Sequence, residues 1–466
     1  MSMLAPQDLV ERALAASTAD GCIVLMGQSV SANLRWANNT LTTNGLMRGA
    51  SATVISTVAT RDGVAAGTVS RSVSDADDVL RLVEDADAAA RVADPAEDAA
   101  PLVTPDASDG SGDGWDEPAA DTSTDVFADF APALGEAFGR ANAADRLLYG
   151  YVEHTVDTTW LGSSTGLRRR HVQPVGHVGI TGKNTDLTRS AWVGQSTRDF
   201  SDVDALALDT ELQRRLGWAE RTVALEAGRY DTVLPPTAVA DLLVYAYWMA
   251  AARDAHEGRT VYGKPGGGTR VGETLSSRPV QLWSDPAYPR LESAPFVTAA
   301  RSSSLSSVFD NGLPVERTRW IADGKLAALM QTRQSAQLTG LPVTPGVENL
   351  IMDVDEASGS IEDLVSGVER GLLLTCLWYI REVDPQNLLL TGLTRDGVYL
   401  VEGGEVTGAV NNFRFNESPI NLLDRFIGAG TTVPSFSREW GDYFPRTATP
   451  PLRIPDFNMS SVSHAQ

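Results

Sequence analysis

Histidine can supply both proton transfer and metal binding, and three of its five copies in this chain, His154, His171 and His177, fall close together. Residues 149–160 and 167–181 read as two strands about the turn Gly162-Ser163-Ser164-Thr165-Gly166. A hairpin centred on Ser164-Thr165 sets His154 roughly opposite Val175 and, by strand parity, puts all three imidazoles on one face, the beginning of a metal site. A slip of one residue removes that coincidence, because neighbouring side chains point to opposite faces. No carboxylate recurs at ligand spacing, so packed or exposed histidines are the plainer reading.

His256-Glu257 starts an HExxH pattern, in which two histidines one helical turn apart hold zinc and the glutamate activates water. Thr260 stands where the second histidine belongs and Gly258 sits between, so His256 reads as the polar end of a helix. Gly263 to Arg270 holds glycines and a lysine but not the order of a phosphate loop, and Pro265 removes a backbone donor; it reads as a surface loop. The two cysteines, Cys22 and Cys376, lie in apolar runs, which excludes a disulfide framework and a cysteine-rich zinc centre. No serine is singled out as a nucleophile beside a histidine and an acid.

The elements that must carry these residues indicate an α+β fold. Residues 1–228 form an N-terminal α/β-layered domain: helices over about 7–18 and 76–92, strands at 22–26, 34–38 and 52–59, the hairpin turn Arg61-Asp62-Gly63, and further helices over 126–148 and 201–227. Between them, 94–125 is an acidic linker rich in Ala, Pro, Ser and Gly, expected to be mobile at least over 104–122. Residues 229–466 form a large, mainly antiparallel β-sheet or barrel-like C-terminal domain of short strands, with an extended tail from Pro450. Its opening helix follows Pro235-Pro236 and carries apolar residues at Val239, Leu242, Leu243, Ala246, Met249 and Ala250, so it is read as buried.

A length of 466 residues suggests two cores, and 42% hydrophobic with 21% charged residues is ordinary globular composition. The net charge of -22 repels phosphate backbones and anionic lipid, so neither nucleic acid nor membrane is an expected partner. The first residues have neither a basic region nor an apolar stretch, which makes the cytoplasm the default location.

Ser307-Val308-Phe309-Asp310-Asn311-Gly312-Leu313-Pro314-Val315-Glu316-Arg317-Thr318, followed by Ile321-Ala322-Asp323-Gly324-Lys325-Leu326, resembles the FD-x-G-x-P-x-x-R … I-x-x-G-x-L block of the TldD/PmbA metallopeptidases. Arg35-Trp36-Ala37-Asn38-Asn39 is similar to that family's early strand, and Gly392-Leu393 with Tyr399 to Gly404 to its late Gly-bounded hairpin. In the TldD branch a helix after the domain boundary carries HExxxH; in the PmbA branch, also called TldE, the motif is missing. The resemblance puts Val244, Tyr245 and Met249 at the motif positions, none of them a peptidase zinc ligand or base.

The resemblance implies a TldE-type, non-catalytic subunit with no cofactor of its own, zinc being carried by an HExxxH-bearing TldD-like partner in a heterodimer or larger assembly. It further implies a shared chamber in which extended or unfolded peptides are cut, held by strand addition. Asp310, Asn311 and Arg317 lie in the most family-like block and are candidate substrate contacts, with a turn-and-salt-bridge role as the alternative. Two other readings stand beside this one: a stand-alone peptidase with a site near His154, His171 and His177, and a peptide-binding scaffold without protease activity.

Overall fold

The computed structural model describes residues 5–105 and 114–463. The chain opens with helix α1 (Pro6–Ala16), strands β1 (Gly21–Ala37), β2 (Thr40–Thr60) and β3 (Gly63–Ser72), and helix α2 (Ala76–Val92). Next come α3 (Phe130–Ala143), β4 (Arg146–Ser163), β5 (Arg168–Asn184), β6 (Ser190–Thr197) and α4 (Ala205–Trp218). The six strands form one antiparallel sheet in the order β3-β2-β1-β4-β5-β6.

Local chemistry explains the long ribbons. β1 turns into β2 through Asn38-Asn39, both at positive φ (50° and 57°), the conformation that two-residue hairpins require and asparagine tolerates. Asn39 also knits the turn to β4, accepting from the Leu148 N–H at 2.7 Å and donating to the Arg146 carbonyl at 2.8 Å. α2 is capped by Asp75, whose carboxylate accepts from the Asp78 N–H.

One sheet face is covered by helices. Ala32, Leu34, Trp36, Val152 and Ile180 pack on Phe130, Leu134, Leu212 and Leu216 of α3 and α4, while Val24, Met26 and Val54 pack on α1 and α2. The other face meets the C-terminal half at one end, where Ile23, Ile55, Leu161 and Leu167 bury Phe296, Val308 and Phe309.

A short β7 (Thr222–Val223) already pairs with Glu405–Val410, and β8 (Gly228–Leu234) runs between Arg370–Leu374 and Leu452–Val462 in a ten-stranded mixed sheet. Helix α5 (Pro236–Trp248) follows. A second, six-stranded sheet includes Val280–Ser284, Thr318–Ala322, Leu350–Val354 and Thr447–Thr449. Side chains of both sheets, Leu282, Trp320 and Leu350 from one and Leu372, Phe413 and Ile454 from the other, share one core with Val239, Leu242, Leu243 and Val244 of α5.

Several expectations need correction. The α+β class with mainly antiparallel sheets holds, but among the described residues no sheet closes into a barrel, and both C-terminal sheets include parallel pairing, Leu350–Val354 with Thr447–Thr449 in one and β8 with Arg370–Leu374 in the other. The helices expected over 126–148 and 201–227 stop at Ala143 and Trp218, where the chain is drawn into β4 and β7. The acidic segment is laid down on both flanks of 106–113, which lie outside the described residues. Ala96 N–H bonds the Val64 carbonyl at 2.8 Å, Leu102 and Val103 pack on the sheet, and the Trp115 carbonyl accepts from Trp160 Nε1 at 3.1 Å. Its few apolar residues are spaced to reach the sheet, which composition does not reveal. Among the described residues no helix is long and apolar enough to cross a membrane.

Gly67 of β3 lies so near α2 that an added Cβ would sit 2.2 Å from the Ala90 nitrogen and 2.4 Å from the Ala86 carbonyl oxygen. Gly135, in α3, has nothing within 4 Å of that position. Gly67→Ala is therefore expected to cost about 1–3 kcal/mol by forcing α2 off the sheet, whereas Gly135→Ala gains about 0.5–1 kcal/mol. Urea unfolding of the two variants checks the opposite signs.

Candidate functional site

The helix-free face of the N-terminal sheet is where polar side chains collect. Cross-strand partners in β4 and β5 share a face, and the register pairs Glu153 with His177, Thr155 with Val175, Asp157 with Gln173 and Thr159 with His171. Segments 294–298 and 441–446 roof this row at a distance, leaving a cleft of about 790 Å³. An arm of about 390 Å³ continues it, lined by Tyr247, Trp248, Phe296, Asp310, Met330 and Gln331. Ala294, Thr298, Glu348, Tyr443 and Arg446 border both spaces.

Acceptors dominate the walls. Glu153 takes hydrogen bonds from Ser31 at 2.7 Å and Tyr151 at 3.0 Å, while Asp157, Glu348 and Asp442 are exposed to the solvent of the cleft. Arg446 is engaged with Glu348 at 2.8 Å, and its burial holds the guanidinium below its usual range. His171 bonds Gln173 at 3.1 Å and His177 stacks on Phe436 with ring centres 5.5 Å apart. Burial pushes both imidazoles below their ordinary range, so both are neutral at pH 7.

The histidine triad expected from the hairpin does not assemble. The register pairs His154 with Gly176, one residue away from the expected partner, so His154 points to the opposite face, bonded to Thr122 Oγ1 at 2.7 Å and the Arg198 carbonyl at 2.9 Å. His171 and His177 share the cleft face but stand six residues apart on one strand, about 20 Å. Among the described residues no group of three His, Cys, Asp or Glu side chains is placed to hold a metal ion. His256 ends a separate five-residue helix, Ala252–His256, beyond the break at Met249. A G-x-S-x-G elbow was expected to be missing from the sequence, yet Gly162 to Gly166 spells that pattern. It is a hairpin turn whose Ser164 hydroxyl accepts from the Cys22 N–H at 3.0 Å, without the strand-to-helix elbow that exposes a nucleophile.

Within the family-like block, Asn311 is a buried clasp, donating to the Ala299 and Val308 carbonyls and accepting from the Ala299 N–H. Asp310 holds Arg333, at 2.6 Å to Nε, and also borders the arm of the cleft. Arg317 lies outside both spaces, its guanidinium 4.1 Å from the centre of the Trp283 ring. The residues that sequence reasoning missed are Glu153, Asp157, Glu348, Asp442 and Arg446. Only the first pair had a local signal, the alternation Glu153-Thr155-Asp157-Thr159 of polar residues along one strand face.

The positions that the resemblance sets against HExxxH do not converge on a cavity among the described residues. Val244 is fully buried, Tyr245 meets the Trp440 ring at 5.6 Å, and Met249 caps the helix. This set offers zinc one thioether and one phenol, so it does not fit that ion. The one acid of α5, Asp241, faces inward, accepting from Ser437 at 2.5 Å and the Glu439 N–H at 2.9 Å while Oδ2 has no partner. Burial pushes its carboxyl up to about 7 against the opposing pull of those bonds. At the helix end, Tyr247 OH donates to the Val347 carbonyl and accepts from its N–H, both at 2.8 Å, and so positions Glu348.

Because the folded protein holds the Asp241 proton more tightly than the unfolded chain, this group's contribution to stability is full below pH ~4 and is lost as pH rises through about 7. Asp241→Asn should remove on the order of 2–4 kcal/mol of pH dependence between those limits, seen as converging urea midpoints at low pH and a more stable variant at about pH 8. Tyr247→Phe leaves the buried Val347 peptide unpaired and should cost about 1–3 kcal/mol in the same assay.

Comparison with known proteins follows the fold. The family model of the PmbA/TldA metallopeptidase C-terminal domain matches residues 227–461. Among solved structures, TldE from Thermococcus kodakarensis aligns with a TM-score of 0.77 at 16% identity, covering 97% of this chain and 99% of that one. A proposed modulator of a DNA gyrase from Thermotoga maritima gives 0.75 at 16% identity over 97% and 99%. One from Bacteroides thetaiotaomicron gives 0.72 at 15% over 98% and 99%. No curated protein matches the chain.

Proposed function

The chain belongs to the PmbA/TldD metallopeptidase family, and from that premise we propose that it is the TldE-type subunit of a two-subunit zinc peptidase, binding extended peptide rather than hydrolysing it. The observation that carries this reading is the contrast between a roomy polar cleft and an α5 without a zinc donor set. Zinc and the water-activating glutamate would come from an HExxxH-bearing partner of the same family. This chain's part is to hold the substrate and exclude competing geometries.

The sheet offers the means. β3 pairs as far as Ser72, opposite Ser51, and the Val73 N–H still takes the Ala50 carbonyl at 3.0 Å, so β2 from Thr40 to Gly49 pairs with β1 alone and presents an open edge. Gly49, Ala50, Ser51 and Ser72 at the end of that edge also border the cleft. An extended peptide that adds to the edge through backbone hydrogen bonds runs from there across β4 and β5, which gives tolerance of sequence.

The test uses the purified full chain, an unstructured fluorescent peptide and a purified HExxxH-bearing family member. The chain alone is expected to bind the peptide without cleaving it and to carry far less than one zinc per chain; cleavage requires both proteins. Hydrolysis by this chain alone with near-stoichiometric zinc would refute the proposal. Binding with no cleavage even when the second protein is added would favour a peptide-binding scaffold.

A further inference from the structure

The arm that branches from the cleft differs from it in kind. Trp248, Phe296, Leu305, Val315, Met330 and Phe444 supply most of its wall. Trp248, in the last turn of α5, meets the rings of Trp440 and Phe444 nearly edge to face, with centres 5.2 and 6.4 Å apart, and stays partly uncovered on the side of the arm.

The polar groups around this space are already engaged within the protein. The Ser307 hydroxyl donates to Asp98 at 2.6 Å, Asp310 accepts from Arg333 Nε at 2.6 Å, and Thr332 Oγ1 accepts from the Ser335 N–H at 3.0 Å. Tyr247 is satisfied by the Val347 peptide, and Glu348 by Arg446. The Gln331 amide oxygen has no partner but is itself buried, out of reach of an occupant. What the arm leaves open is aromatic and aliphatic surface, which water solvates poorly. Its wall is also fixed in advance. Asp98 takes hydroxyl bonds from both Ser302 and Ser307, and Arg333 donates to the Pro101 carbonyl at 2.8 Å, so the N-terminal half pins the segment 302–310 in place.

We infer that the arm is a side-chain pocket, selecting a large apolar or aromatic residue of the peptide held in the cleft. The inference rests on the peptide-binding reading above. Size argues for a side chain, because about 390 Å³ lies at the small end of ligand sites and admits neither a helix nor a docked domain. Position argues for a side chain of that peptide: Ala294, Thr298, Glu348, Tyr443 and Arg446 border both spaces, and an extended chain turns every second side chain to the same side. Backbone pairing at the β2 edge holds any extended chain; the arm discriminates among them. Because the discrimination comes from apolar surface leaving water, it is insensitive to moderate salt.

Fluorescence anisotropy with the full chain tests this, using three labelled, unstructured peptides of equal length that differ only in carrying Phe, Ala or Asp at the same alternate positions. The Phe peptide is expected to bind on the order of tenfold tighter than the Ala peptide, at low and at moderate salt alike, and the Asp peptide more weakly than either. Thr298→Trp, at an exposed position on the mouth, blocks the entry with a ring, and Leu305→Glu puts a charge in the wall. Either is expected to bring the Phe-to-Ala ratio close to one with an unchanged circular dichroism spectrum, while Ala88→Trp, on the exposed face of α2, preserves it. A ratio near one in the unaltered chain, with the peptides bound, would overturn the pocket and leave the peptide-binding reading standing. A ratio that survives both arm variants would place the preference elsewhere and overturn it as well. Self-association of the chain that Thr298→Trp abolishes would show a second copy filling the arm, again overturning it. Failure of every peptide to bind would sink the peptide-binding reading, and the pocket with it.

Discussion

A helix with almost no polar surface has to be enclosed on every side, and α5 imposes that demand on the C-terminal half. Its apolar residues point in all directions, so one sheet cannot bury them; two sheets close around it and share its core. The single carboxylate carried inside, Asp241, is tolerated because Ser437 and the Glu439 N–H meet it and because its proton is retained well above the ordinary carboxyl range. Those same bonds fix 437–440 against the helix. From its far end Tyr247 fixes Val347, and through it Glu348 and the Arg446 pair. One wall of the cleft is therefore an extension of the buried helix.

This enclosure bears on chemistry. Zinc bound for hydrolysis needs several nitrogen, oxygen or sulfur donors and an open position for water. α5 gives apolar and aromatic side chains to its surroundings instead, and gains packing where a peptidase helix would carry ligands. The cleft, by contrast, keeps its polar groups solvated and its acceptors open. That contrast is what the proposed substrate-holding role rests on.

Much of the architecture was legible in the sequence because its signals are local. The Asp75 cap and apolar spacing of α2, the turn at Asp62-Gly63, the double proline before α5 and the strand Leu350–Val354 all declare themselves within a few residues. What depends on distant pairing did not. β1 reads as two shorter strands because Gly27-Gln28-Ser29 breaks the apolar pattern, and β2 reads as its apolar second half alone, yet pairing on both sides carries β1 unbroken from Gly21 to Ala37. The position of His154 turned on a single residue of register. The packing of 94–105 on the sheet depends on Leu102 and Val103 finding Ile23 and Leu161, which composition cannot express. The cleft was least legible of all, since Glu153 and Asp157 meet Asp442 and Arg446 only after the C-terminal half has folded over the sheet.

The proposed function requires peptide to lie across the outward face of β4 and β5. A photocrosslinking amino acid at Thr155, on that face, tests this most directly when the full chain is irradiated with an unstructured labelled peptide and the adducts are mapped by mass spectrometry. Strong peptide adducts from position 155, with none from the same group placed at Asp77 on α2, are the expected result. Equal or greater labelling from Asp77, or no adduct from 155 under conditions where the peptide is bound, would contradict the account.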